Sequence, residues 1–155
     1  MLYQLRNLNT REQELMMDGP VLVGILIGSA DGNLSSEEVR RLNDLVKTKV
    51  YSEKNDVHLL YKQLAETDLS DRITAIAGET AEKDTVEEKE EFLIGRLAGL
   101  NPILKKLDHA YAVQYRDSLK DIAVGIANAS GGILGIGRVS HEEEELLSLS
   151  FIEHP

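Results

Sequence analysis

The chain has no cysteine, no tryptophan, three prolines and only seven aromatic residues, five tyrosines and two phenylalanines. The lack of cysteine excludes disulfides, thiolate metal sites and cysteine nucleophiles, and it suits a reducing compartment. So few aromatics leave little material for a platform on which bases could stack. The longest apolar run, VLVGILIG at 21–28, falls far short of the ~20 residues that cross a bilayer, so no transmembrane segment is expected. The opening stretch MLYQLRNLNTREQE turns polar early and lacks the basic-then-apolar order of a secretory signal, so a cytoplasmic location is expected. Positive charge is scarce as well. With 17 Lys and Arg against 27 Asp and Glu, the formal charge is −10 and the pI about 4.8. Such a field repels nucleic acid and anionic membranes, and it concentrates cations and proteins with basic surfaces.

At 155 residues with 42% hydrophobic content, the length fits one domain, taken as 1–155, with an ordinary core. Apolar residues recur at helical spacing, which predicts an all-α bundle of seven or eight helices. Thr10 is read as the cap of a short first helix that Asp18-Gly19-Pro20 ends, with Pro20 opening a second, nearly all-apolar helix over about 20–30. Val and Ile dominate that run, so a buried strand is the alternative; helix is preferred because no partner strand is evident. Ser35 and Glu38 form an S-x-x-E capping box ahead of a stripe of Val39, Leu42, Leu45, Val46 and Val50. Asn55 and Ser70 are the expected starts of the next two helices. Thr85 and Glu88 form a second box, before a helix that Asn101-Pro102 closes. A long helical segment follows from about Ile103 to Ala129, with Leu119, Ile122, Ala123 and Ile126 on one face. After the glycine-rich SGGILGIGRVS, Ser140 and Glu143 repeat the box before a C-terminal helix. The charged run at 79–91 reads as a solvated connection and helix face.

VGILIGSADGNLSSEEVRRL from Val23 aligns with VGIANASGGILGIGRVSHEEEELL from Val124, a weak internal repeat of helix, loop and helix that would set two loops side by side. The first copy, SADGNLSSEEVRRLNDLV, resembles the A-D-G-x-[IL]-S-x-x-E motif of the TerB-like (tellurite-resistance) helical family, and GIGRVSHEEEELL lies where that family has its second copy. The resemblance implies an all-α fold of about seven helices and an acidic surface that binds metal ions.

The motif also matches the second half of an EF-hand loop. With Glu38 at position 12, Asp31 falls at 5, Gly32 at 6, the Asn33 carbonyl at 7, Leu34 at 8 and Ser35 at 9. Positions 1 and 3 become Ile27 and Ser29, so the first half of the cage is missing. Asp31, Asn33, Ser35 and Glu38 are therefore candidate ligands for Ca²⁺ or Mg²⁺, completed by water or by Glu143 of the second copy, where Ile136 replaces the aspartate and Arg138 adds a positive charge. Local structure alone is the other reading: Gly32 ends one helix, Ser35 and Glu38 cap the next, and Leu34 staples the turn.

Other signals are weaker. Asp-Ser-Leu around Ser118 is the tripeptide of acyl carrier proteins, but it lacks their preceding turn. GGILGIG has neither the strand nor the order of a dinucleotide fingerprint, nor the Gly-Lys-Ser/Thr of a P-loop. The histidines at 58, 109, 141 and 154 lack ligand spacing, and no nucleophile stands beside a base. The sequence therefore predicts a non-enzymatic helical module whose acidic loop surface binds a divalent cation or a basic protein partner. The alternatives are a ligand-free interaction or scaffold domain and, from another class, an acyl carrier.

Overall fold

The computed structural model describes residues 2–28, 35–52, 56–67, 69–130 and 146–155. Within them a 3-10 turn at Tyr3–Leu5 precedes seven helices: α1 (Thr10–Gly28), α2 (Ser36–Ser52), α3 (Val57–Thr67), α4 (Leu69–Ala81), α5 (Val86–Ala98), α6 (Leu100–Leu104) and α7 (His109–Ser130). No strand occurs among the described residues, and the expected all-α bundle of about seven helices is present. The apolar run at 21–28 is helical and lies in the middle of the bundle. Val21, Leu22 and Val23 have no exposed surface, because α1 packs on α4, α5 and α7 at once.

Asp18-Gly19-Pro20 does not break the chain into two helices; α1 runs straight through it. A proline inside a helix leaves the carbonyl four residues earlier without its N–H partner and normally kinks or ends the helix. Here that carbonyl is Met16, and it accepts a 2.7 Å hydrogen bond from the hydroxyl of Tyr115 on α7. Gly19 makes the approach possible, since a Cβ there would lie 2.1 Å from the Tyr115 oxygen. The tripeptide is thus a socket for a distant tyrosine.

Other boundaries shift for local reasons. The α1 cap is Asn9, not Thr10: Asn9 Oδ1 accepts from the Glu12 N–H at 2.8 Å, and Glu12 returns the bond to the Asn9 N–H at 3.0 Å. Lys106 also donates to Glu12 at 2.6 Å, and this bond with the Asn9 N–H holds the Glu12 carboxyl below its ordinary value. Ser70 lies one residue inside α4, and Asn55 is outside the described residues. Thr85 caps α5 as expected, but Glu88 turns its carboxylate to the Asp84 N–H instead of closing the box on Thr85. Asn101-Pro102 does not close α5, which ends at Ala98; both residues sit in the first turn of α6, where a missing N–H costs nothing. The long segment from Ile103 is broken by a turn after Leu104, and Asp108 caps a separate α7 by accepting from the Tyr111 N–H at 3.4 Å. The second capping box, Ser140 with Glu143, lies outside the described residues.

The internal repeat has a packing counterpart. Gly24 and Gly125, the glycines of the two Val-Gly-Ile copies, are notches that receive Leu42 and Leu45 of α2, whose carbons come within 2.8 Å and 2.6 Å of where a Cβ would stand. Helices α1 and α7 run alongside, with Tyr115 and Leu119 against Gly19. By contrast, a Cβ at Gly78 or Gly95 would meet nothing within 4 Å. Gly78→Ala and Gly95→Ala should each stabilise the fold by about 0.5–1 kcal/mol, read by urea unfolding, because alanine restricts the unfolded chain without a clash.

Candidate functional site

Of the five predicted ligands, Ser35 and Glu38 lie within the described residues; Asp31, Asn33 and Glu143 do not. Ser35 Oγ accepts from the Glu38 N–H at 3.1 Å, and Glu38 Oε1 accepts from the Ser35 N–H at 3.4 Å, so the capping box is formed. This engages one carboxylate oxygen. The other, Oε2, is buried and has no hydrogen-bond partner among the described residues. A buried, unpartnered carboxylate oxygen is costly and calls for a positive partner.

Packing shows what stands near it. Lys49 pairs with Asp121, and Leu45 fills the notch at Gly125. Four residues along α2 match four residues back along α7, an antiparallel register that places the end of α7, Ser130, level with Arg40. On the other side, Leu42 fills Gly24, four residues before α1 ends and six after α2 begins. The C-terminal ends of α1 and α7 therefore approach the first turns of α2. Each helix end leaves carbonyl oxygens without intrahelical donors and carries about half a negative charge. Such carbonyls are hard oxygen donors of the kind Ca²⁺ and Mg²⁺ take. A cleft of about 310 Å³ opens along α2, lined among the described residues by Glu37, Glu38, Arg40, Arg41 and Asp44. Among the described residues no three acidic or histidine side chains are arranged to hold a metal ion. A cation at Glu38 thus needs backbone carbonyls, water or ligands from outside them.

Two polar clusters escaped sequence reasoning. Asp18 of α1, with 13% of its side chain exposed, accepts from Arg72 of α4 at 2.8 Å and from Arg96 of α5 at 2.9 Å, and Arg72 also reaches Glu14 at 2.7 Å. This ties three helices together. The sequence offered only a carboxylate two residues before a proline, where a helix end was expected. The second cluster is buried. Ser118 Oγ donates to the Tyr115 carbonyl at 2.6 Å, so its contact with the Tyr61 hydroxyl at 2.8 Å is donated by the tyrosine. Burial pushes the Tyr115 phenol far above its ordinary value, with Tyr61 nearby adding to the shift, which keeps it a donor to Met16. Ser118 itself is 1% exposed. A serine so enclosed cannot present a phosphopantetheine arm, which removes the acyl-carrier reading.

No family model matches the chain, and neither does any curated protein or solved structure. Among the described residues no helix is long and apolar enough to cross a membrane.

Proposed function

We propose that the protein is a non-enzymatic helical module that binds a divalent cation, Ca²⁺ or Mg²⁺, at the start of α2. The observation that carries this reading is the buried Glu38 Oε2, which has no hydrogen-bond partner among the described residues while its sister oxygen is held in the cap. The packing that brings the C-terminal ends of α1 and α7 toward the first turns of α2 supports it, as does the resemblance of the 29–38 stretch to the TerB-like motif, with Asp31, Asn33 and Glu143 as further ligands. The ion acts by tying the ends of α1 and α7 to α2. The chain's net charge of −10 would also favour a basic protein surface as a partner.

The test is thermal unfolding with Ca²⁺, Mg²⁺, Mn²⁺ or Zn²⁺. Ion at a hundred times its Kd should stabilise the wild type by about 2.7 kcal/mol, a rise of roughly 5–10 °C for this size of domain. Glu38→Gln keeps the cap, since glutamine serves at that position, but lacks the charge. It should unfold near the metal-free wild-type temperature and ignore the ion. A wild type indifferent to all four ions, or an equal rise in Glu38→Gln, overturns the reading. A ligand-free scaffold is the second reading, favoured by the completed Ser35–Glu38 cap, and it expects that indifference.

A further inference from the structure

We propose that Pro20 is a hinge in α1 and that the Tyr115 hydroxyl is its pin, setting the angle at which the outer half of the helix, 20–28, meets the start of α2. The two halves of α1 are held by different forces. Every charged side chain of α1 lies before Pro20, and three of them tie that half to its neighbours: Asp18 to Arg72 and Arg96, Glu14 to Arg72, and Glu12 to Lys106. From Pro20 to Gly28 no side chain is polar, residues 20–26 are buried, and Leu42 of α2 seats in the notch at Gly24. Apolar contacts of this kind are non-directional, so they hold the outer half in place without fixing its tilt.

Between the halves the helix lacks one bond. Pro20 offers no N–H to the Met16 carbonyl, and a proline in a helix interior is a common cause of sharp bends. The outer half spans about 12 Å, so a bend of about 25° at Pro20 would carry Gly28 about 5 Å. The Tyr115 hydroxyl takes the place of the missing donor, at 2.7 Å from the Met16 oxygen. Its ring has no exposed surface, and Ser118 Oγ donates to the Tyr115 carbonyl at 2.6 Å while accepting from the Tyr61 hydroxyl of α3 at 2.8 Å. The pin is therefore anchored on α7, the other helix whose end approaches α2. Leu45 fills Gly125 as Leu42 fills Gly24, so α2 rests on both helices and the pin ties one to the other. The effect of the hinge on ion binding rests on the cation reading above: ligand distances hold to within about 0.2 Å, far less than such a bend would move the end of α1. The hinge itself does not depend on that reading.

Residual dipolar couplings of the metal-free protein, which report the angle between residues 10–18 and 21–28, test the hinge. Tyr115→Phe keeps the ring but removes the donor, and should change that angle by about 20°. Tyr61→Phe, which removes a buried hydroxyl without touching Met16, should leave it unchanged. Pro20→Ala returns an N–H to the Met16 carbonyl, so Pro20→Ala/Tyr115→Phe should recover the wild-type angle. An unchanged angle in Tyr115→Phe, or an equal change in Tyr61→Phe, overturns the hinge. Should Tyr115→Phe alone not fold, folding of the double variant supports the pin and its failure to fold overturns it. In a Mn²⁺ titration the apparent Kd should rise severalfold in Tyr115→Phe and recover in Pro20→Ala/Tyr115→Phe. A changed angle with an unchanged Kd overturns the pin's hold on the ion site. A wild type that ignores the ion removes the cation reading, while the angle still decides the hinge.

Discussion

Gly19→Ala is expected to destabilise the protein by about 3–5 kcal/mol, a loss of roughly 10 °C in unfolding temperature for a domain of this length. The new methyl group would sit 2.1 Å from the Tyr115 hydroxyl, so the ring must leave. Its departure strands the Met16 carbonyl, because Pro20 has no N–H to give. Overpacking and an unsatisfied buried pair therefore act together. Tyr115→Phe removes the clash but also the donor, and should cost about 1–3 kcal/mol by itself. Urea unfolding of the double variant separates the two effects. Once the hydroxyl is gone, Gly19→Ala should lose much of its penalty, giving a large coupling between the two sites. Additive effects would show that the tyrosine does not occupy the socket.

Asp18→Ala should lower stability by about 2–4 kcal/mol, somewhat less than a fully enclosed ion pair because Asp18 keeps some exposure. The carboxylate is shared: Arg72 arrives from α4 and Arg96 from α5, and its removal leaves two guanidinium groups close together with less negative charge between them. Arg72→Met or Arg96→Met alone should cost less, since Asp18 retains one partner in each case. Hydrogen exchange gives the structural readout. In Asp18→Ala the amides of α4 and α5 should exchange faster relative to those of α7, because α5 loses its Arg96 tie to α1 and α4 keeps only the more exposed Arg72–Glu14 pair. Uniform acceleration throughout, or no change, would contradict the role assigned to Asp18.

What the sequence revealed was local. Ser35, Glu38 and Thr85 announced their helix starts because a cap and its amide lie three residues apart. The stripe of Leu42 and Val46 announced its buried face because helical period alone sets it. What it concealed depended on partners far along the chain. Asp18-Gly19-Pro20 carries the local signature of a helix end, and nothing near it signals that a tyrosine almost a hundred residues later will satisfy the Met16 carbonyl. The turn before Asp108 was hidden because apolar residues continue on either side at nearly helical spacing. At the candidate site, the Glu38 cap was legible, while the approach of the α1 and α7 ends was not. That approach follows from two leucines of α2 seating in glycine notches. The repeat of Val-Gly-Ile marked those notches without revealing what would fill them.

Backbone amide spectra recorded during a Mn²⁺ titration test most directly whether an ion sits against Glu38. The expected result is selective broadening, at substoichiometric Mn²⁺, of amides from Ser35 to Val39 and at the last turns of α1 and α7, reversed by excess Mg²⁺ and lost in Glu38→Gln. Broadening spread over other acidic faces, such as the start of α5 at Glu87 and Glu88, or none at all, would contradict it.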